Sequence, residues 1–124
     1  MKVEVYWNTR RKLYSIRAAE GPDKGLVIDR DRLVELKDVT FHVSEPGRLR
    51  VVRSGRKNLH AVVRGELMAP RSRPIGTGDP THVWYNPMHD KGFNHDGQVV
   101  KKAAWVVMYI SGRSSMIAAY EVTR

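Results

Sequence analysis

The sequence predicts an α+β fold, a mostly antiparallel β-sheet with one or two short helices, in a single domain over residues 1–124. Residues 2–8 and 12–18 alternate between polar and apolar side chains, which is typical of strands with one buried face. Residues 102–110 and 116–122 flank a Ser-Gly-Arg-Ser turn and predict a closing hairpin. A chain of this length buries roughly two thirds of the surface that its unfolded form exposes, which is enough for a core.

The first 44 residues predict four strands with one ambiguous stretch. The strands at 2–8 and 12–18 form a hairpin, and the turn Gly21-Pro22-Asp23-Lys24-Gly25 leads to a short strand at 26–28. Residues 29–38 are compatible with a short helix capped by Asp29. Residues 39–44 are β-branched and aromatic, which favours a strand.

After Ser44 the pattern favours a helix of about three turns, because Ser is a good N-cap and Pro46 is tolerated in the first turn. A strand, with Arg48, Arg50 and Val52 on one side, is the alternative. Residues 58–68 and 81–86 predict further strands, the second ended by Pro87. Residues 69–80 and 87–98 are rich in Pro, Gly, His and Asp and predict loops.

The positive charge is concentrated in one segment of the chain. Residues 46–73 carry eight Arg or Lys and one acid, so they supply +7 of the net charge of +9. A dense positive patch attracts polyanions, and phosphate contacts dominate nucleic-acid affinity. The candidate nucleic-acid-binding residues are Arg48, Arg50, Arg53, Arg56, Lys57, Arg64, Arg71 and Arg73.

Aromatic rings beside such a patch can stack on unpaired bases. The candidates for stacking are Tyr6, Trp7, Tyr14, Trp84 and Tyr85, although strand aromatics more often pack in the core. The same patch is also compatible with a solvated face or with an interface to an acidic protein.

A metal-independent ribonuclease is the enzymatic alternative. Such enzymes need a base, an acid and cations around one phosphodiester. His60, Arg64, Tyr85 and Lys91 are the residue types that could supply them. Neighbouring strands would have to help, because residues four apart on one strand lie about 13 Å apart.

Metal and cofactor sites have weak signals. The loop pairs His89-Asp90 and His95-Asp96, with His82 upstream, offer metal-ligand types but match no metal motif, so neither a metal nor a cofactor is predicted. The absence of cysteine excludes disulfides and thiolate chemistry. No apolar run approaches the roughly 20 residues of a membrane span, and residues 1–5 lack a signal-peptide core, so a cytoplasmic protein without membrane contact is expected.

Several strings resemble a family of small, uncharacterised proteins encoded by tailed bacteriophages and prophages. They are Met1 to Asn8, Tyr14 to Arg17, Tyr85-Asn86-Pro87 and, most distinctively, Arg56-Lys57-Asn58-Leu59-His60-Ala61. The resemblance implies action in the cytoplasm of an infected bacterium. A second similarity, to ribonucleases such as barnase and RelE, is one of architecture and residue type only.

The expected function is therefore phage-type nucleic-acid binding, with RNA and DNA both open and with either a monomer or a homodimer. The alternatives are a ribonuclease that uses His60 and an inhibitor that docks on an acidic host protein.

Overall fold

The computed structural model describes residues 1–54, 61–69, 78–85 and 93–123. Within them lie ten strands and one helix. In chain order these are β1 Lys2–Asn8, β2 Leu13–Ala18, β3 Val27–Asp31, β4 Val34–Val43, α1 Glu45–Ser54, β5 Ala61–Met68, β6 Thr81–Tyr85, β7 Phe93–His95, β8 Gln98–Val99, β9 Lys102–Ser111 and β10 Ser114–Thr123.

All ten strands join one sheet in the order β3-β2-β1-β5-β4-β9-β10-β6-β7-β8. Every pair of neighbouring strands is antiparallel. About 65% of the described residues are in strands and 10% in the helix. The predicted α+β class is therefore wrong, and the fold is nearly all-β.

The error lies mainly in residues 29–38, which were compatible with a short helix. Residues 27–31 form β3 at one edge of the sheet, and Val34–Val43 forms one ten-residue strand. β4 is paired on both sides, with β5 and with β9, so its backbone groups are satisfied by the sheet. These long-range pairs outweigh a weak local helix pattern.

The N-terminal hairpin, the helix after Ser44 and the C-terminal hairpin are confirmed by the bounds above. The strands predicted at 58–68 and 81–86 are confirmed over 61–68 and 81–85, and residues 58–60 and 86 lie outside the described residues. The loop predicted over 87–98 is wrong at its C-terminal end, where β7 and β8 form a small hairpin. Its turn, Asp96-Gly97, has positive φ angles of 48° and 76°, as tight hairpin turns require. Residues 70–77 and 86–92 lie outside the described residues.

A bend crosses three neighbouring strands, β4, β9 and β10. Asp38 and Glu121 have φ angles of 52° and 53°, and the register of β4 against β5 shifts between Lys37 and Thr40. Core residues there are spaced by three positions instead of two: Leu36 and Val39, Ala103 and Val106, Ala119 and Val122. Aligned irregularities of this kind bend and coil a sheet.

The coiled sheet closes over its own concave face, which forms the core. Tyr14 of β2 is fully buried, and its hydroxyl donates to the carbonyl of Tyr109 on β9 at 2.7 Å. The same hydroxyl lies 2.7 Å from Ser115 Oγ on β10. β2 is adjacent to neither β9 nor β10 in the sheet, so these contacts of Tyr14 connect one half of the sheet to the other. Burial raises the pKa of Tyr14, because the anion would lose its hydration.

The helix α1 begins at the end of β4 and is anchored by few contacts. The Gly47 N–H donates to Ser44 Oγ at 3.4 Å, as an N-cap requires, and Gly47 and Val51 are the buried residues. Leu49, Arg50, Val52 and Arg53 are exposed. The helix therefore presents both arginines to solvent.

Candidate functional site

The convex side of the sheet carries a row of polar side chains that crosses five strands. Directly opposed residues on antiparallel strands point to the same face. The register of β2, β1, β5, β4 and β9 accordingly aligns Arg17, Glu4, Arg64, Thr40 and Lys102. A neighbouring row on the same face contains Lys2, Glu66 and Lys37. We call these eight residues the outer basic face, which holds five cations and two carboxylates.

Glu4 holds two arginines side by side at the centre of the outer basic face. Arg64 donates from Nη2 to Glu4 Oε2 at 2.7 Å, and Arg17 donates from Nη2 to Glu4 Oε1 at 3.3 Å. Each guanidinium has five N–H donors, and one from each is used by Glu4. The Nε atoms of Arg17 and Arg64 are buried without a hydrogen-bond partner among the described residues, whereas the side chains as a whole are 35% and 42% exposed. The pair is therefore fixed in place and still able to bind an anion.

The ionisation of Glu4 follows from this geometry. Partial burial acts to raise the pKa of its carboxyl, but the hydrogen bond from Arg64 and the charges of Arg17 and Arg64 together hold that pKa below its usual value. A depressed carboxyl pKa stabilises the fold above the pKa of the unfolded chain, and this contribution is lost as the pH falls. Glu4 therefore remains an anion, and keeps its two arginines, at neutral pH.

A shallow groove on the same face adjoins the arginine pair. It is lined by Glu4, Tyr6, Arg17, His42, Val43, Ser44, Val62 and Arg64. The guanidinium carbon of Arg17 lies 5.8 Å from the centre of the Tyr6 ring, a cation–π contact. Because Ser44 is the N-cap of α1, the helix begins at the margin of the groove.

His42 brings an imidazole to the lining of the groove. Desolvation is the largest cause that lowers the pKa of its imidazole. The charge of Arg64 lowers this pKa further, and the charge of Glu4 raises it. Because folding lowers the pKa of His42, protonation is less favourable in the folded chain than in the unfolded chain. The contribution of His42 to the free energy of unfolding is therefore present above the pKa of the unfolded chain and is lost as the pH falls. A phosphate in the groove would act in the opposite direction and would favour the imidazolium.

If the groove binds a phosphate polyanion, its affinity should rise as the pH falls below the ordinary range of histidine, because binding would be coupled to protonation of His42. His42→Gln should flatten this dependence. Anisotropy titrations of both proteins at matched ionic strength measure it. An equal pH dependence in the variant would exclude His42 as its source.

The residues predicted from the basic segment are divided by the structure. Arg64 lies in the outer basic face, and Arg50 and Arg53 are exposed on α1. Arg48 is largely buried, with its side chain 13% exposed and paired with Glu45 at 3.1 Å. The remaining candidates, Arg56, Lys57, Arg71 and Arg73, lie outside the described residues.

The two described ribonuclease candidates are not brought together. Arg64 points from β5 to the convex side, where it meets Glu4, whereas Tyr85 packs against the core on the concave side. His60 and Lys91 lie outside the described residues.

The five aromatic candidates are also divided between the two sides. Tyr14 is fully buried, Trp7 packs edge-on against it at 5.0 Å, and Tyr85 packs against the core. Tyr6 lines the groove, and Trp84 is 42% exposed on β6. Stacking on a base is therefore open to Tyr6 and Trp84.

The described histidine and acid pairs make local contacts. His95 Nδ1 lies 3.1 Å from the carbonyl of His82, and His95 Nε2 lies 3.1 Å from Asp96 Oδ2. Among the described residues, no group of three His, Cys, Asp or Glu side chains is arranged to hold a metal ion. His89 and Asp90 lie outside those residues.

Sequence reasoning missed most of the outer basic face. Lys2, Glu4, Arg17, Lys37 and Lys102 were not predicted as site residues, because they lie in segments that are close to neutral overall. The polar positions of the alternating strand at 2–8 were the available signal. Only the strand register shows that they lie beside Arg64.

Comparison with known proteins supplies the family. A family model described as Mycobacterium phage L5 gene 82 protein matches residues 1–116. The chain belongs to this family. The gene 82 protein of Mycobacterium phage L5 is 34% identical over 102 residues, which cover 77% of this chain and 78% of that protein. The resemblance to small phage proteins is thereby confirmed.

No solved structure matches the chain. Among the described residues, the one helix is too short and too polar to cross a membrane.

Proposed function

We propose that this phage protein binds nucleic acid and that the cationic side chains of its outer basic face contact the phosphates. The observation that carries the proposal is the row of Arg17, Glu4, Arg64, Thr40 and Lys102 across five adjacent strands. Strands are spaced by about 4.8 Å, so the row extends over roughly 20 Å. A row of that length can contact several successive phosphates of one strand.

The chemistry of the arginine pair supports phosphate as the ligand. A guanidinium presents parallel N–H donors that match two phosphate oxygens, and charge-assisted bonds of this kind are roughly twice as strong as neutral ones. Arg17 and Arg64 have been ordered by Glu4 before any ligand arrives. The ion pairs with Glu4 restrict both side chains, which would lower the entropic cost of binding.

The helix extends the same electrostatic surface. α1 starts beside the groove and exposes Arg50 and Arg53, and the chain carries its highest charge density in the segment that includes them. The long-range field of these charges should speed up the encounter with a polyanion. Tyr6, which lies under Arg17, is placed to contact a base or a sugar next to a bound phosphate.

Fluorescence anisotropy tests the proposal, with labelled single-stranded RNA, single-stranded DNA and duplex DNA in EDTA at several salt concentrations. We expect binding at low salt whose affinity falls steeply as salt rises, because counterions are released from each phosphate that is neutralised. The ranking of the three probes would identify the preferred strand.

Two results would contradict the proposal. Binding that does not depend on salt would exclude phosphate neutralisation as its basis. No binding to any probe at low salt would leave an acidic host protein as the better candidate partner. The same samples on a denaturing gel test for cleavage, and intact RNA is the expected result.

A further inference from the structure

An apolar cavity lies between the two halves of the coiled sheet, on the side opposite to the outer basic face. Its volume is about 170 Å³. It lies near the ends of β1 and β6 and the starts of β2, β5 and β7. Aromatic side chains dominate its lining: Trp7, Tyr14, Trp84, Tyr85 and Phe93. The other apolar lining residues are Val5, Ala61, Val63, Val83, Met108 and Ile117, and Tyr6 and Ser115 complete the lining.

The Tyr85 hydroxyl is the unusual feature of this wall. Its oxygen is buried and has no hydrogen-bond partner among the described residues. Its ring is held against Phe93 at a centroid distance of 5.6 Å. A buried hydroxyl without a partner costs roughly 1–3 kcal/mol, so most such groups in native structures have one. Burial raises the pKa of Tyr85, while the nearby charges of Arg48 and Glu45 on α1 act in opposite directions, so the hydroxyl keeps its proton at neutral pH and can donate.

We propose that the cavity binds a small monocyclic aromatic molecule with one hydrogen-bonding oxygen, of the phenol class, whose oxygen pairs with the Tyr85 hydroxyl. The volume of the cavity limits the size of the ligand, because an apolar protein cavity of about 150 Å³ accommodates benzene. The apolar lining limits the number of polar groups on the ligand. A nucleobase has several polar edge groups that would be buried here without partners. This proposal does not depend on nucleic-acid binding.

Titration calorimetry with phenol and toluene tests it on the full-length wild-type protein and the Tyr85→Phe variant. The variant keeps the ring and removes only the hydroxyl. We expect both ligands to bind to the wild type. In Tyr85→Phe the phenol affinity should fall about three- to tenfold, the range that one hydrogen bond contributes, and the toluene affinity should change less than twofold.

A cavity-filling variant, Ala61→Leu, locates the site, since Ala61 lines the cavity. It should weaken both ligands while an unchanged amide NMR spectrum elsewhere shows that the fold is retained. The proposal is overturned if neither ligand binds up to its solubility, if Tyr85→Phe weakens both equally, or if both still bind fully to Ala61→Leu. Tighter binding of uridine than of phenol would also overturn it, in favour of a base pocket.

Discussion

Replacing Gly65 by alanine is expected to lower the free energy of unfolding by about 3 kcal/mol. Gly65 on β5 faces the bend in β4, where its missing side chain leaves no free space. A Cβ atom there would lie 2.8 Å from the carbonyl oxygen of Lys37 and 3.1 Å from a methyl carbon of Val39. The first neighbour is backbone in a strand paired on both sides, so it cannot move aside cheaply. Overpacking of this kind typically costs 1–3 kcal/mol and occasionally more.

Urea unfolding followed by tryptophan fluorescence measures this effect. Val62→Ala on the same strand is the matched control, because Val62 lies on the convex side and is half-exposed, so its loss should cost less than about 1 kcal/mol. A change below 1 kcal/mol for Gly65→Ala would mean that β4 and β5 are not packed as described.

Neutralising the central arginine pair should cause the largest loss of nucleic-acid affinity. Arg17→Gln together with Arg64→Gln removes two charges that the proposal assigns to phosphate contacts. We expect the affinity at low salt to fall roughly 10- to 100-fold and the slope of log affinity against log salt to fall by about two. Anisotropy titrations over a salt series measure both quantities.

The matched control is Arg11→Gln with Arg113→Gln, which has the same net charge but changes exposed residues in the hairpin turns after β1 and β9. A second variant, Lys37→Gln with Lys102→Gln, leaves the Glu4 ion pairs untouched and should also reduce the slope. Equal losses in the control and the arginine pair would show that net charge, and not the outer basic face, determines binding.

The fold was predictable where the local pattern and the tertiary environment agree. The alternation of Val3 and Val5 with Lys2 and Glu4 predicted β1 correctly, because one face of that strand is buried and the other is exposed. Residues 29–38 were ambiguous because Leu33, Val34 and Leu36 suit either a helix or a strand. Pairing with β5 and β9 favours the strand over the helix for β4, and those partners are distant in sequence.

The site was predictable only in part, for a similar reason. Counting charge along the chain found Arg50, Arg53 and Arg64, which are close together in sequence. It could not find Arg17 or Lys102, since the sheet register is a long-range property. Neither could it place Tyr85 and Arg64 on opposite sides of the sheet.

The measurement that tests the central claim most directly is an NMR titration of ¹⁵N-labelled protein with the tightest-binding oligonucleotide. The account predicts that the largest amide shifts fall at Glu4, Tyr6, Arg17, Arg64 and Lys102, on four different strands, with smaller shifts in α1. Shifts confined to residues that line the concave side, or spread evenly over all exposed lysines and arginines, would contradict it.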